Sequence, residues 1–308
     1  MGAFQNIGLN GYFKRYGIRY GLLRGMFMAL PVHAVADYEN RKILYYRKIY
    51  RWVMERCLPM ADREPAGMVY FRPDLREPVW MYWRQGLENA PEIVKKCVES
   101  VRHYSERPVI LLTEKNIGEF IRLPGFAEEK LKNGKLPAAI YSDLLRLSLL
   151  EHYGGTWIDA TVYLTGPLPS YITDSDLFAY QDSFGLIENP ARFANWLLHC
   201  RPGNGIIRKT RNMLFAYWEE KDFAPEYLLS YLVFTAAVET AASGEADIPY
   251  VSSVYTGLLL KELDQPYREE NYRHMISLSP VHKLTYKLKE HVACQAGTYY
   301  THIMQERL

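Results

Sequence analysis

The run Tyr141-Ser-Asp-Leu-Leu-Arg-Leu-Ser-Leu-Leu-Glu-His-Tyr-Gly-Gly-Thr-Trp-Ile-Asp-Ala-Thr161 decides the fold. Leu144, Leu145, Leu147, Leu149 and Leu150 fall at helical spacings on a wide face, which predicts a deeply buried helix. Gly154 and Gly155 stop it, as glycine does just past a helix end. The β-branched and aromatic residues from Thr156 to Leu164 then predict a strand. From Asp143 to Tyr153 the helix rises about 15 Å, and from Gly155 to Asp159 the strand runs back about 13 Å. The two carboxylates therefore end near each other. Arg146, three residues after Asp143, shares that side of the helix and reaches the same space.

A carboxylate at the end of a buried strand costs several kcal/mol unless a metal, an arginine or hydrogen-bond donors compensate it. Sugar hydroxyls and a phosphate-bound divalent cation both suit this trio, because a carboxylate accepts two hydrogen bonds and an arginine fork suits ring oxygens and phosphate. The bland alternative is an internal Asp143–Arg146 ion pair with Asp159 opening a turn. Spacing alone leaves both open.

Upstream, Val79 to Trp83 predicts a strand ending in Arg84-Gln85-Gly86. A helix follows from about Pro91, then a second strand from Pro108 to Thr113. Such a unit needs a right-handed crossover, and ligands of open parallel sheets sit beyond the strands' carboxyl ends. Trp83 to Gly86 and Thr113 to Lys115 are placed there. Downstream, turns with Gly166, Pro167 and Pro169 lead to a strand at Leu177 to Gln181, and the chain from roughly Pro190 onward reads as mainly helical. Asp174 and Asp176 read as turn residues, and His152 and His199 as structural.

The front of the chain differs in character. Among residues 1–60, Lys14, Arg15, Arg19, Arg24, Arg41, Lys42, Arg47, Lys48, Arg51 and Arg56 face only Asp37, Glu39 and Glu55. Ile43, Leu44, Tyr46, Ile49, Tyr50, Val53 and Met54 predict one apolar helix face over Arg41 to Arg56. The basic side has two readings: a solvated face, or a surface that rests on anionic lipid. The breaker-rich stretch from Pro59 to Pro78 sets off residues 1–77 as a helical arm.

Arg24 and Pro31 interrupt the apolar stretch Tyr20 to Ala36, which is shorter than the roughly 20 residues a span needs. No membrane span is expected, and no small-x-small cleavage pattern follows. With 308 residues, 48% of them hydrophobic, the chain supports a large core. Its net charge of +2 is too near neutral for a nucleic-acid binder. Cys57, Cys97, Cys200 and Cys294 stand far apart without metal spacing, which fits a reducing compartment and a cytoplasmic setting.

Residues 141 to 161 resemble the signature of the capsular polysaccharide synthesis protein family, related to the glycosyltransferases of family 32: a Ser-Asp-x-x-Arg helix, a Gly-Gly stop and an Asp-x-Asp strand end. The resemblance also covers Trp80-Met-Tyr-Trp-Arg-Gln-Gly86 with Ala90-Pro91, and extends through Asn195-Trp196 to His282-Lys-Leu-Thr-Tyr-Lys287. It implies an α/β fold of glycosyltransferase A type, a Rossmann-like open sheet with flanking helices, following the helical arm. Residues 78–308 would form the catalytic domain, with 78–185 as its nucleotide-sugar half and 186–308 as its mainly helical acceptor side. The implied reaction moves a monosaccharide from a nucleotide-diphosphate sugar to a growing capsule, exopolysaccharide or O-antigen, usually with retention.

By the same resemblance, Asp143 and Arg146 match donor-sugar contacts and Asp159 the first acid of Asp-x-Asp. Trp83 matches an aromatic that packs on the nucleotide base, where Gln85 and the backbone of Gly86 read its edge or approach the ribose. Thr161 stands where many relatives carry the second aspartate. One carboxylate, Asp159, with that hydroxyl can still help hold Mg²⁺ or Mn²⁺, since such ions keep waters and take diphosphate oxygens. Otherwise Lys283 and Lys287 are the cations that neutralise the leaving diphosphate. The acceptor is expected to be lipid-linked or an oligosaccharide, with the basic arm in peripheral contact with the membrane. Two other functions fit the same residues: a non-catalytic capsule-assembly protein, and a glycoside hydrolase using Asp143 and Asp159 as its pair.

Overall fold

Short apolar runs without alternation make strands buried on both faces, and here they build a sheet sandwiched between helices. A computed structural model of the chain describes residues 8–29, 35–182, 189–242, 244, 246–288, 292 and 295–306. The chain opens with α1 (Gly8–Ala29), α2 (Val35–Arg56), β1 (Val69–Tyr70), β2 (Val79–Tyr82), α3 (Glu92–Tyr104) and β3 (Val109–Leu112). Next come β4 (Ile121–Arg122), α4 (Gly125–Lys132), α5 (Ala138–Tyr153), β5 (Gly155–Ile158), β6 (Val162–Leu164), α6 (Ser170–Thr173) and β7 (Leu177–Gln181). The last third holds β8 (Phe193–Cys200), α7 (Gly205–Glu220), α8 (Leu229–Glu239), α9 (Leu258–Glu262), α10 (Glu269–Leu278), β9 (Val281–Lys283) and α11 (Tyr299–Gln305).

The central sheet runs β3-β2-β5-β8-β7. β2 lies parallel to both β3 and β5, whereas β8 is antiparallel to β5 and to β7. The sheet is therefore mixed, not purely parallel. The strand Phe193–Cys200 also corrects the reading of everything after Pro190 as mainly helical. Seven of its eight residues are buried, so its sequence shows neither the two-residue nor the 3.6-residue period that separates strand from helix.

The helix-to-strand reversal forms as expected. α5 buries ten side chains, and Gly154 ends it with φ of +68°. Gly155, at φ of +91°, lies so close to the Pro78 carbonyl that a Cβ there would collide with it. That contact lets β5 enter the sheet beside β2. The strand read as continuous from Thr156 to Leu164 is in fact two. β5 stops at Ile158, the Asp159 amide donates to the Trp196 carbonyl at 2.8 Å, and β6 leaves to pair with β9. The break turns Asp159 out of the core at the carboxyl end of β5.

Residues 1–77 read as an arm, and its described part packs into the main core. Tyr45, Ile49, Val53 and Cys57 share one buried cluster with α5, α7 and α8. Cys57, Cys97 and Cys200 are buried free thiols, and Cys294 lies outside the described residues. His152 stacks on Tyr70 at 3.8 Å, and Asp174 caps the short α6.

His199 bonds Thr156 and His282 bonds Thr165, at 2.9 and 3.0 Å. Burial pushes both imidazoles down to about 4, so each is neutral in the fold. Unfolded histidine titrates near 6.5, so their contribution to stability is whole above that pH and lost as pH falls toward 4. Going from pH 7 to pH 5 should cost about 2 kcal/mol per histidine, read as a lower urea midpoint. A midpoint that stays put between those pH values would contradict it.

Candidate functional site

β2 and β5 end side by side, and the turns beyond them open onto a cleft of about 520 Å³. That is the size of a small-molecule site. Trp83 and Gln85 line it from the turn after β2, Asp143 and Arg146 from α5, Asp159 and Thr161 from the break after β5, and Lys283 and Lys287 from the segment around β9. Gly86 stands beside the cleft and not in its lining; its amide donates to the Trp83 carbonyl at 3.0 Å. Thr113 to Lys115 do not line it either. The Thr113 amide is taken by Asn116 at 2.7 Å and the Lys115 ammonium by Glu88 at 3.3 Å.

Arg146 is the centre of the acidic wall. Its guanidinium stands 3.3 Å from Asp143 Oδ1 and 3.1 Å from Asp159 Oδ1, and it also donates to the Asn195 carbonyl. The Trp157 ring lies 5.0 Å below it, and the indole Nε1 donates to Asp159 Oδ1 at 3.0 Å. The trio inferred from a helix rise and a strand return thus converges, with the Asp143 and Asp159 side chains 14% and 30% exposed toward the cleft. Asp143 and Arg146 do form the ion pair of the bland alternative, and that pair faces an open cavity. Burial holds the Asp143 carboxyl above the usual range, Arg146 and the Ser230 hydroxyl draw it back, and Asp159 pushes it up again.

Sequence reasoning missed the part of the wall that stands beside Asp143. Tyr227, Ser230 and Tyr231 arrive from the start of α8, and Trp196 from β8. Ser230 Oγ accepts from Asn195 at 3.0 Å, tying that helix to the Arg146 network. Aromatics flanking a serine in Tyr227-Leu-Leu-Ser-Tyr231 were the one available signal, and a buried helix carries the same pattern. The arm braces this wall. Arg24 pairs at 3.0 Å with Glu226, the Ala224 amide donates to the Arg15 carbonyl at 2.9 Å, and Tyr45 donates to the Pro225 carbonyl at 2.7 Å.

A divalent ion at this site would take Asp159 Oδ2 and Thr161 Oγ1. Both already face Lys283, whose ammonium donates to Thr161 and stands 3.7 Å from Asp159 Oδ2. An ion about 4 Å from that ammonium would be repelled by roughly 8 kcal/mol at an effective dielectric of about 20. Among the described residues no group of three or more His, Cys, Asp and Glu side chains stands close enough to hold a metal. The donor set does not fit a divalent ion, and the site's positive charge comes from the chain's own cations.

This cleft, at the carboxyl ends of parallel strands and lined by aromatics, acids and cations, defines an α/β protein with a built polar ligand site. Residues 69–303 match the capsular polysaccharide synthesis protein family, and the chain belongs to it. It is similar to the O-glycosyltransferase PaGT of Phomopsis amygdali, 26% identical over 174 residues, 49% of this chain and 38% of that protein. The O-glycosyltransferase braB of Annulohypoxylon truncatum is also 26% identical, over 178 residues, 52% of this chain and 40% of that one. The chain thus matches about two-fifths of the length of these curated relatives. Among solved structures, the PaToxG glycosyltransferase overlaps 64% of this chain and 79% of its own, at 15% identity and a TM-score of 0.38.

Proposed function

We propose that this protein is a glycosyltransferase of the A-type fold that moves a monosaccharide from a nucleotide-diphosphate sugar to a growing surface polysaccharide, with retention. The observation that carries this reading is the Asp143–Arg146–Asp159 cluster on one wall of a cleft whose other contributors are Trp83 and two lysines. The carboxylates accept from sugar hydroxyls, and the fixed guanidinium holds them in place without a reorganisation cost during reaction. Trp83 offers an aromatic face beside the cleft, braced edge-on by Tyr286 at 5.3 Å. As the anomeric carbon parts from the diphosphate, positive charge grows at the sugar and negative charge on the leaving group. In this reading Asp159 steadies the first charge and the lysines the second. Positioning and electrostatics supply the catalysis.

Incubating the purified full chain with a panel of sugar nucleotides, with and without Mn²⁺, tests the reading by release of nucleoside diphosphate. Turnover of one donor is expected. Donor binding without turnover supports a non-catalytic assembly role instead, and a panel that neither binds nor turns over sinks the assignment.

The acceptor in this reading is lipid-linked or an oligosaccharide, met at the cytoplasmic membrane face. Among the described residues no helix is long and apolar enough to cross a membrane. Ile18, Leu22 and Met26 nevertheless form a stripe on α1, exposed by 72, 61 and 59%, beside a groove that also carries Arg19 and Lys48. Apolar side chains set among cations suit an anionic bilayer surface. The chain should co-sediment with phosphatidylglycerol vesicles and not with phosphatidylcholine ones, and Leu22→Glu with Met26→Glu should leave it in the supernatant. Equal partition onto both vesicles, or none onto either, rules the contact out.

A further inference from the structure

We propose that Lys283, aided by Lys287, takes the place of a divalent ion, so that the diphosphate of the donor is held by fixed ammonium groups and binding is independent of metal. The inference rests on the donor-site reading above and says how that site works.

The position of Lys283 is set by backbone. β9 pairs with β6 in a register that puts Lys283 opposite Val162, and the Leu284 amide donates to the Thr161 carbonyl at 2.8 Å. Its neighbour His282 is fully buried and tied to Thr165 at 3.0 Å, so the strand has little freedom to shift. This places the ammonium against the Thr161 hydroxyl, the side chain standing where the resemblance expects a second acid. An aspartate at 161 would bind Lys283 in a close ion pair, whereas a threonine only accepts one N–H and leaves Asp159, 3.7 Å away and shared with Arg146, as its counter-charge.

An ammonium has three donors. Thr161 takes one, and Asp159 Oδ2 at 3.7 Å lies beyond hydrogen-bond length. Two N–H groups on a side chain 27% exposed thus remain for an anion in the cleft. Lys287 lines the same cavity, its ammonium 6.0 Å from the Tyr286 ring. Asp143 and Asp159 against Arg84, Arg146, Lys283 and Lys287 leave the cleft lining with a net positive charge. Arg146 spends its charge on the two acids and Arg84 pairs with Glu114 at 2.9 Å, so the lysines are the cations left to meet phosphate oxygens. A cation fixed by the fold needs no second acid to recruit it, which accounts for Thr161.

Titration calorimetry with UDP and with GDP on the full chain tests this without any acceptor. Binding of at least one diphosphate is expected in EDTA, with an affinity unchanged by Mn²⁺. Lys283→Met should weaken it by about tenfold to a hundredfold, the value of losing charge-assisted hydrogen bonds, while Lys283→Arg keeps most of it. Binding that is absent in EDTA and restored by Mn²⁺ overturns the inference while the donor site stands, and needs no variant to be seen. So does wild-type affinity in a folded Lys283→Met. Failure of both diphosphates under every condition removes the donor-site reading, and this inference with it.

Discussion

Asp159→Asn is expected to lower glycosyl transfer by at least about a hundredfold, the usual cost of removing one preorganised electrostatic group, while thermal unfolding moves little. Asparagine keeps the shape and can still accept from Arg146 and from Trp157 Nε1 through Oδ1. What it loses is the negative charge at the end of β5, and its amide then points donors toward Lys283, which now faces Oδ2 at 3.7 Å. The sugar loses its carboxylate contact and the lysine loses its counter-charge in one step. Turnover and melting temperature measured on the same preparation separate this from misfolding. Wild-type turnover in the folded variant would remove Asp159 from the mechanism.

Arg146→Met should be the most damaging single change to stability. The guanidinium side chain is 6% exposed and bridges both acids, so its loss leaves Asp143 and Asp159 facing each other with little solvent. Breaking a buried pair by removing one partner costs roughly 3–5 kcal/mol, equivalent to a melting temperature lower by about 10 °C in a chain of this size. The effect has a pH signature. Burial already raises the Asp143 carboxyl, and removing the cation that draws it down raises it further. A raised carboxyl destabilises the fold above its own pKa, and protonation relieves the cost as pH falls through it. The gap between variant and wild type should therefore be wider at pH 8 than at pH 5. A constant gap across that range would mean that Arg146 does not compensate the acid pair. Arg146→Lys should recover little, because one ammonium cannot span two carboxylates and the Asn195 carbonyl.

The acidic wall was legible because its geometry is local. A helical period, two glycines and a β-rich run bring Asp143, Arg146 and Asp159 to one end of the sheet. Lys283 was legible only through the resemblance, since its place depends on β9 reaching β6 from 120 residues away. The rest was hidden for physical reasons. Phe193–Cys200 is buried on both faces, so no period marks it as a strand. The break after β5 depends on β6 pairing with β9, a contact that no stretch of residues 156–164 encodes. Tyr227, Ser230 and Tyr231 enter the cleft because α8 packs where it does. Amphipathy in Arg41 to Arg56 announced a buried face that holds at Ile49 and Val53, but Leu44 is exposed and Arg41 buried, because Tyr45 and not Leu44 turns to the core.

The bracing of Phe223–Tyr227 by α1 and α2 also bears on how the family boundary is understood. The match begins at residue 69, yet Glu226, 1% exposed, has its cationic partner at Arg24. Excision at that boundary would remove the counter-ion of Glu226 and uncover the aromatic underside of the core. The shared region is thus an evolutionary unit and not a mechanical one. Variation in the leading helices can therefore reshape the Tyr227–Tyr231 rim of the cavity while the backbone that carries Asp143, Arg146 and Asp159 stays as it is.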